Sequence, residues 1–183
     1  MISTTSSSGY AYANADGKQF GNANLGDVPL VADFDGDSKA DLAVWRASTG
    51  TWFWLPSAFG YSYANQGAKA WGSAAAGDVP MTGDFDGDGR ADLAVWRAST
   101  GTWFWLTSST GYDYARQGQK QWGSQAQADV PLLADLDGDG HVELTVWRPG
   151  TGTWFWLTWV SGYNYEAQGQ VRLGTSGDVP VIR

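Results

Sequence analysis

The sequence repeats itself every 51 residues, and this period limits its fold more than any other feature. The stretch GDVPLVADFDGDSKADLAVWRASTGTWFWL begins at Gly26 and returns with few changes from Gly77 and from Ala128. Asp33, Asp84 and Asp135 keep a spacing of 51 residues, so the register carries no insertion. A Gly-Tyr-x-Tyr element occurs at Tyr10/Tyr12, Tyr61/Tyr63, Tyr112/Tyr114 and Tyr163/Tyr165. Asp-Val-Pro occurs at Asp27, Asp78, Asp129 and Asp178, the last interval being two residues shorter. A period in this range means stacked supersecondary units, each burying its faces on its neighbours. The organisation expected is a flexible segment 1–8, a partial unit 9–25, three full units 26–76, 77–127 and 128–176, and a partial unit 177–183.

Each unit reads as four short strands. Val28 to Phe34 is an apolar run that suits a buried first strand, and Asp41 to Arg46 alternates Leu42 and Val44 with Ala43 and Trp45. Ser48-Thr49-Gly50 marks a tight turn. Thr51 to Leu55 places Trp52 and Trp54 on one face and Phe53 and Leu55 on the other, so this strand needs cover on both sides. The fourth strand is expected over Tyr61 to Ala64. No stretch has helical periodicity, and the class is all-β. Four-stranded units with aromatic residues on both faces fit the blades of a β-propeller. A β-trefoil, the competing Trp-rich architecture, usually has shorter repeats and lacks the acidic motif between the first two strands.

That motif is D-x-D-x-D-x-x-x-D: Asp33, Asp35, Asp37 and Asp41; Asp84, Asp86, Asp88 and Asp92; Asp135, Asp137, Asp139 and Glu143. Four carboxylates within nine residues repel one another unless a cation lies among them. Hard oxygen donors at alternating positions around a glycine select calcium over zinc or copper. The seventh position, Lys39, Arg90 or His141, varies as expected if only its backbone carbonyl is a ligand. The twelfth position is Val44, Val95 or Val146, which excludes an EF-hand. Twelve of the 19 acidic residues lie in these loops, and three Ca2+ ions, about one per repeat, would bring the net charge from −8 to −2 (−8 + 6).

DFDGDGRADLAVWR resembles the FG-GAP/VCBS repeat, the calcium-loop blade of integrin-α-type propellers and of many secreted bacterial proteins. The resemblance runs from about Tyr10 to Val179. It implies a propeller of several blades with calcium in the loop joining the first two strands. Relatives of this kind include seven-bladed lectins, adhesion receptors and propellers appended to secreted hydrolases. Two departures stand out: Gly-Asp-Val-Pro replaces the Phe-Gly…Gly-Ala-Pro signature, and three full units are too few to close a ring alone.

The tryptophans divide into two groups. Trp45, Trp96 and Trp147, with the pairs Trp52/Trp54, Trp103/Trp105 and Trp154/Trp156, are expected to fill the space between blades, with Arg46, Arg97 and Arg148 stacked on an indole. Trp71 and Trp122, with counterparts Phe20 and Leu173, are expected near the rim. Lectin relatives make these two the candidates for stacking on a sugar, with Asn65, Gln66, Arg116 and Gln117 as polar flanks. The expected function is a calcium-stabilised, multivalent carbohydrate-binding propeller, the alternative being a structural or protein-adhesion scaffold. An enzyme is not expected: the chain has one His, His141, within an acidic loop, and no Cys. The acidic balance argues against nucleic acid, and no run approaches the roughly 20 apolar residues of a membrane span. Met1 to Ser8 lacks the features of a signal peptide, while weak calcium loops fit the extracellular supply, so secretion is expected. Head-to-tail self-association into a closed ring, a dimer first, is the expected route to covering the outermost blade faces.

Overall fold

The computed structural model describes residues 17–175 and 177–180. Tyr10/Tyr12 of the first partial unit lie outside them. Each full unit forms one four-stranded antiparallel sheet with its strands in chain order. Sheet 1 holds β1 (Asp27–Ala32), β2 (Asp41–Arg46), β3 (Thr51–Leu55) and β4 (Gly67–Ala70). Sheet 2 holds β5 (Asp78–Gly83), β6 (Asp92–Arg97), β7 (Thr102–Leu106) and β8 (Gly118–Gln121). Sheet 3 holds β9 (Val130–Ala134), β10 (Glu143–Arg148), β11 (Thr153–Leu157) and β12 (Gly169–Arg172). β1 lies beside β5 and β5 beside β9, so the first strands share one side of the stack. The sheets are blade-like. No closed ring is formed by the described residues.

The second and third strands fall where the sequence places them, because their side chains are buried by both neighbouring strands and neighbouring sheets. Trp52, Leu55, Trp103, Leu106, Leu144 and Leu157 have no exposed surface. Trp45 faces Trp52 in the ladder, and both indole N–H groups donate to the carbonyl of Trp71, at 3.1 Å each. Trp96 and Trp103 do the same to Trp122, at 3.0 and 2.9 Å. A buried indole needs a partner for its N–H, and here two share one acceptor and pin the exit of the outer strand.

Three expectations are corrected. The fourth strand is Gly67–Ala70, not Tyr61 to Ala64. Tyr61 has φ 58°, and Tyr63–Asn65 form a 3-10 turn capped by the Ser62 hydroxyl, because the tyrosines reach across to the preceding sheet rather than pairing in their own. The first strand stops at Ala32 and is half exposed, with Val31 on the surface, because it is an edge strand; Phe34 turns into the loop and stacks on Trp54. The arginines lie over phenylalanines, not indoles: Arg46, Arg97 and Arg148 sit 4.9, 4.9 and 4.8 Å from the rings of Phe53, Phe104 and Phe155. Each also forks onto a carboxylate, Asp27, Asp78 or Asp129, which fixes the guanidinium plane.

Between sheets the contacts repeat. Phe34 stacks on Trp54 at 5.2 Å, and Tyr112 of the next sheet meets that indole edge-on at 5.7 Å. Phe85, Trp105 and Tyr163 repeat the arrangement at 4.8 and 5.8 Å. Lys69 and Lys120 sit over Tyr114 and Tyr165 of the following sheet, whose hydroxyls donate to the carbonyls of Ala70 and Gln121.

Candidate functional site: the acidic loops and an inter-sheet cleft

Each acidic loop is built by its own carboxylates accepting backbone N–H groups. In the second loop Asp84 accepts from Gly87 at 2.6 Å and from Gly89 at 2.8 Å. Gly87 has φ +75°, a conformation that favours glycine, and this lets the chain curl around the carboxylate. Asp88 accepts from the Arg90 N–H and from the Ser108 hydroxyl. The ninth position, Asp92, is the first residue of β6 and is fully buried. It accepts the N–H groups of Phe85 and Ser108 at 2.7 Å each, tying the loop to the end of β7. Asp41 repeats this with Phe34 and Ser57 at 2.8 and 2.6 Å, and Glu143 accepts from Leu136 at 2.6 Å.

The carboxylates converge. Ligand-capable oxygens of Asp33, Asp35 and Asp37 lie within 4.8 Å of one another, as do those of Asp84, Asp86 and Asp92 and those of Asp135, Asp137 and Glu143. Among the predicted ligands, Asp41, Asp88 and Asp139 fall outside these groups. Asp88 is turned toward Ser108 and Asp139 toward His141. One buried oxygen in each loop has no hydrogen-bond partner: Asp35 Oδ2, Asp86 Oδ1 and Glu143 Oε1. A buried charged oxygen without a donor is costly, and a hard cation would satisfy all three. The donor set, all oxygen and rich in carboxylate, fits calcium. Burial pushes the Asp92 carboxyl up to about 7, and it also raises Asp41 and Glu143. Without a cation these groups resist ionisation.

The seventh-position side chains pack between loops. A side chain at Gly36 would meet Arg90 of the next loop at 3.0 Å, and one at Gly87 would meet His141 at 2.7 Å, so each such residue packs on the glycine of the preceding loop. The Asp33 and Asp84 carbonyls accept the N–H groups of Ala91 and Val142, at 2.6 and 2.8 Å. Loop order and sheet stacking are thereby coupled. Trp159 stands where the other units have Ser57 and Ser108, and it stacks on His141 at 3.6 Å.

Of the sugar candidates, the structure joins Trp71 and Gln117, whose Nε1 and Oε1 are 3.0 Å apart. They line a cleft of about 250 Å³ between sheets 1 and 2 with Ser73, Asp78, Arg97 and Phe104. Trp122 packs tilted on Tyr165 and leaves its buried Nε1 unpartnered. Asn65, Gln66 and Arg116 lie exposed on the 3-10 turns or just beyond them. The sequence reading missed Asp78 and Arg97 as cleft residues, although the paired recurrence of Asp-Val-Pro and Trp-Arg was a signal for them.

The family model of the FG-GAP-like repeat matches residues 84–146. This stretch is similar to the FG-GAP-like repeat. It opens at the first carboxylate of the second loop and closes in β10, taking in β6, β7, β8, β9 and the second and third acidic loops but not β5. The FG-GAP-like match and the three repeated four-stranded sheets together are consistent with a β-propeller-like repeat scaffold. Comparison with curated proteins and with solved structures yields no match. No helix among the described residues is long and apolar enough to cross a membrane.

Proposed function

We propose that the three sheets are an arc of a β-propeller that works as a secreted, calcium-stabilised binding module, with its ligand site in the cleft between adjacent blades. The observation that carries this reading is the convergence of carboxylates around an unpartnered buried oxygen in every acidic loop. Asp33, Asp35 and Asp37, Asp84, Asp86 and Asp92, and Asp135, Asp137 and Glu143 would hold the ions. Calcium bound there supplies charge neutralisation, and it stiffens loops that are hydrogen-bonded to the next blade. That is a structural role, with no bond making or breaking. His141 is stacked on Trp159 and lies beside Asp139.

The ligand class we infer is carbohydrate. The cleft offers an indole edge, an amide and a guanidinium at Trp71, Gln117 and Arg97, the guanidinium held in place by the buried Asp78. At about 250 Å³ it is smaller than the roughly 300–1,000 Å³ of drug-sized sites, a size that suits one sugar ring. Repetition of weak sites along the arc would add avidity. A second reading, a protein-adhesion scaffold without a sugar site, is favoured by one observation: the Trp71 N–H is already satisfied by Gln117. A glycan array with the calcium-loaded chain separates the two. Retention that falls at least about tenfold in Gln117→Ala, with an unchanged melting curve, supports the sugar cleft. An array without hits leaves the scaffold reading.

A further inference from the structure

We propose that a second copy of this chain docks head to tail on the open face of sheet 3. The two internal seams state what such a face accepts. On sheets 1 and 2 it is formed by Phe34 or Phe85, Trp54 or Trp105, Lys69 or Lys120, and Trp71 or Trp122. The following sheet covers it with a tyrosine edge, an apolar β-strand and a second tyrosine under the lysine. Covered, Phe34 and Phe85 are 5% and 3% exposed. Their counterpart on sheet 3, Leu136, is 49% exposed, and Leu173, the counterpart of Trp71 and Trp122, is 68% exposed. Val171 stands where the lysines stand and is exposed beside them. Among the described residues only Asp178–Pro180 lie against this sheet, beside Trp147, Trp154 and Leu173, and they leave Leu136, Val171 and Leu173 exposed.

The complementary surface exists once more in the molecule, on the leading side of sheet 1. Tyr61 donates to the Ala40 carbonyl as Tyr112 does to Ala91 and Tyr163 to Val142. Leu42, Phe53 and Tyr63 take the places of Leu93, Phe104 and Tyr114. The occupant is therefore the leading face of another copy, because it carries the same residues in the same order as the surfaces already seated at both internal seams. Part of that face is held by the chain itself: Lys18 lies over Tyr63 at 4.2 Å, Phe20 tilts against it, and the Tyr63 hydroxyl donates to the Gln19 carbonyl. Residues Lys18–Phe20 occupy the seat that Lys69–Trp71 occupy one unit on. Docking must displace them, so association is concentration-dependent rather than obligate. The contact is heterologous; two copies would bring six sheets together, and the rotation per copy decides whether they close.

The proposal rests on the stacked sheets and is independent of any sugar. Light scattering coupled to gel filtration, run on the full chain over a wide concentration range, is the test. The expected result is a mass that rises above the 19.7 kDa of one chain. Val171→Lys with Leu173→Trp, which installs the residues of the internal seams, should tighten association by at least about tenfold. Val171→Asp should abolish it while leaving far-UV circular dichroism and the melting curve unchanged, since this residue lies on an exposed edge strand. A mass that stays at 19.7 kDa for the wild type and the double variant at every concentration overturns the proposal. Association indifferent to Val171→Asp overturns it equally.

Discussion

On the proposed assignment of the acidic loops to calcium, removing the ion should reverse the way this protein responds to pH. Asp92 is fully buried and accepts two backbone N–H groups, yet burial outweighs those bonds and lifts its carboxyl from 3.8 to about 7. Its folded pKa lies above the unfolded value, so its contribution is fully present below about pH 4 and is lost as pH rises through about 7. The shift of roughly three units corresponds to about 4 kcal/mol. For a chain of this size that is a melting-temperature rise of about 8–16 °C as metal-free protein is taken from above pH 7 to about pH 4. Asp41 and Glu143 are shifted the same way and add to the slope. Calcium bound as proposed would hold these carboxylates ionised, and protons would then compete with it, so the loaded protein should lose stability over the same range. Thermal melts of metal-stripped and calcium-loaded protein across this window are the assay. A metal-free melting temperature that is flat, or that falls as pH is lowered, would refute the reasoning. Equal slopes with and without calcium would refute the assignment of these loops to a cation.

Three further outcomes follow from packing. Gly118→Ala places a methyl 2.0 Å from the Trp105 indole and should cost about 3 kcal/mol or more in denaturant unfolding, whereas Gly60→Ala, with open space around it, should cost only about 1 kcal/mol for its positive φ. Arg97→Met leaves Asp78 buried without its fork; with Arg97 about a third exposed, the expected loss in chemical denaturation is about 2–3 kcal/mol, and Arg97→Lys should restore only part of it. Trp103→Ala empties a fully buried site and frees one donor from the Trp122 carbonyl, so thermal unfolding should report a loss of about 3–5 kcal/mol.

The candidate site was partly legible in sequence. The D-x-D-x-D spacing pointed to the loops in which the structure brings carboxylates together. Which carboxylates converge was not legible: Asp37 and Asp88 each accept a serine hydroxyl 20 positions away, yet only Asp37 joins the group in its loop. The same holds for Gln117, which meets Trp71 across 46 residues. Asp78 and Arg97 enter the cleft only because two sheets stack there.

Sequence alone determined the period, the all-β class and the limits of the second and third strands, because alternation and burial on both faces leave those residues one conformation. It misplaced the fourth strand, because aromatic alternation at Tyr61 and Tyr63 looks the same whether the rings pair within a sheet or reach across to another. Only tertiary structure decided that. Gly60 turns the chain through a left-handed conformation, the Tyr114 and Tyr165 hydroxyls find carbonyls 44 residues back, and the short Gly67–Ala70 strand closes the sheet because Trp54 fills the space over Gly67. Local pattern fixes what a strand can bury, and the neighbouring sheet fixes which residues are left to form its edge.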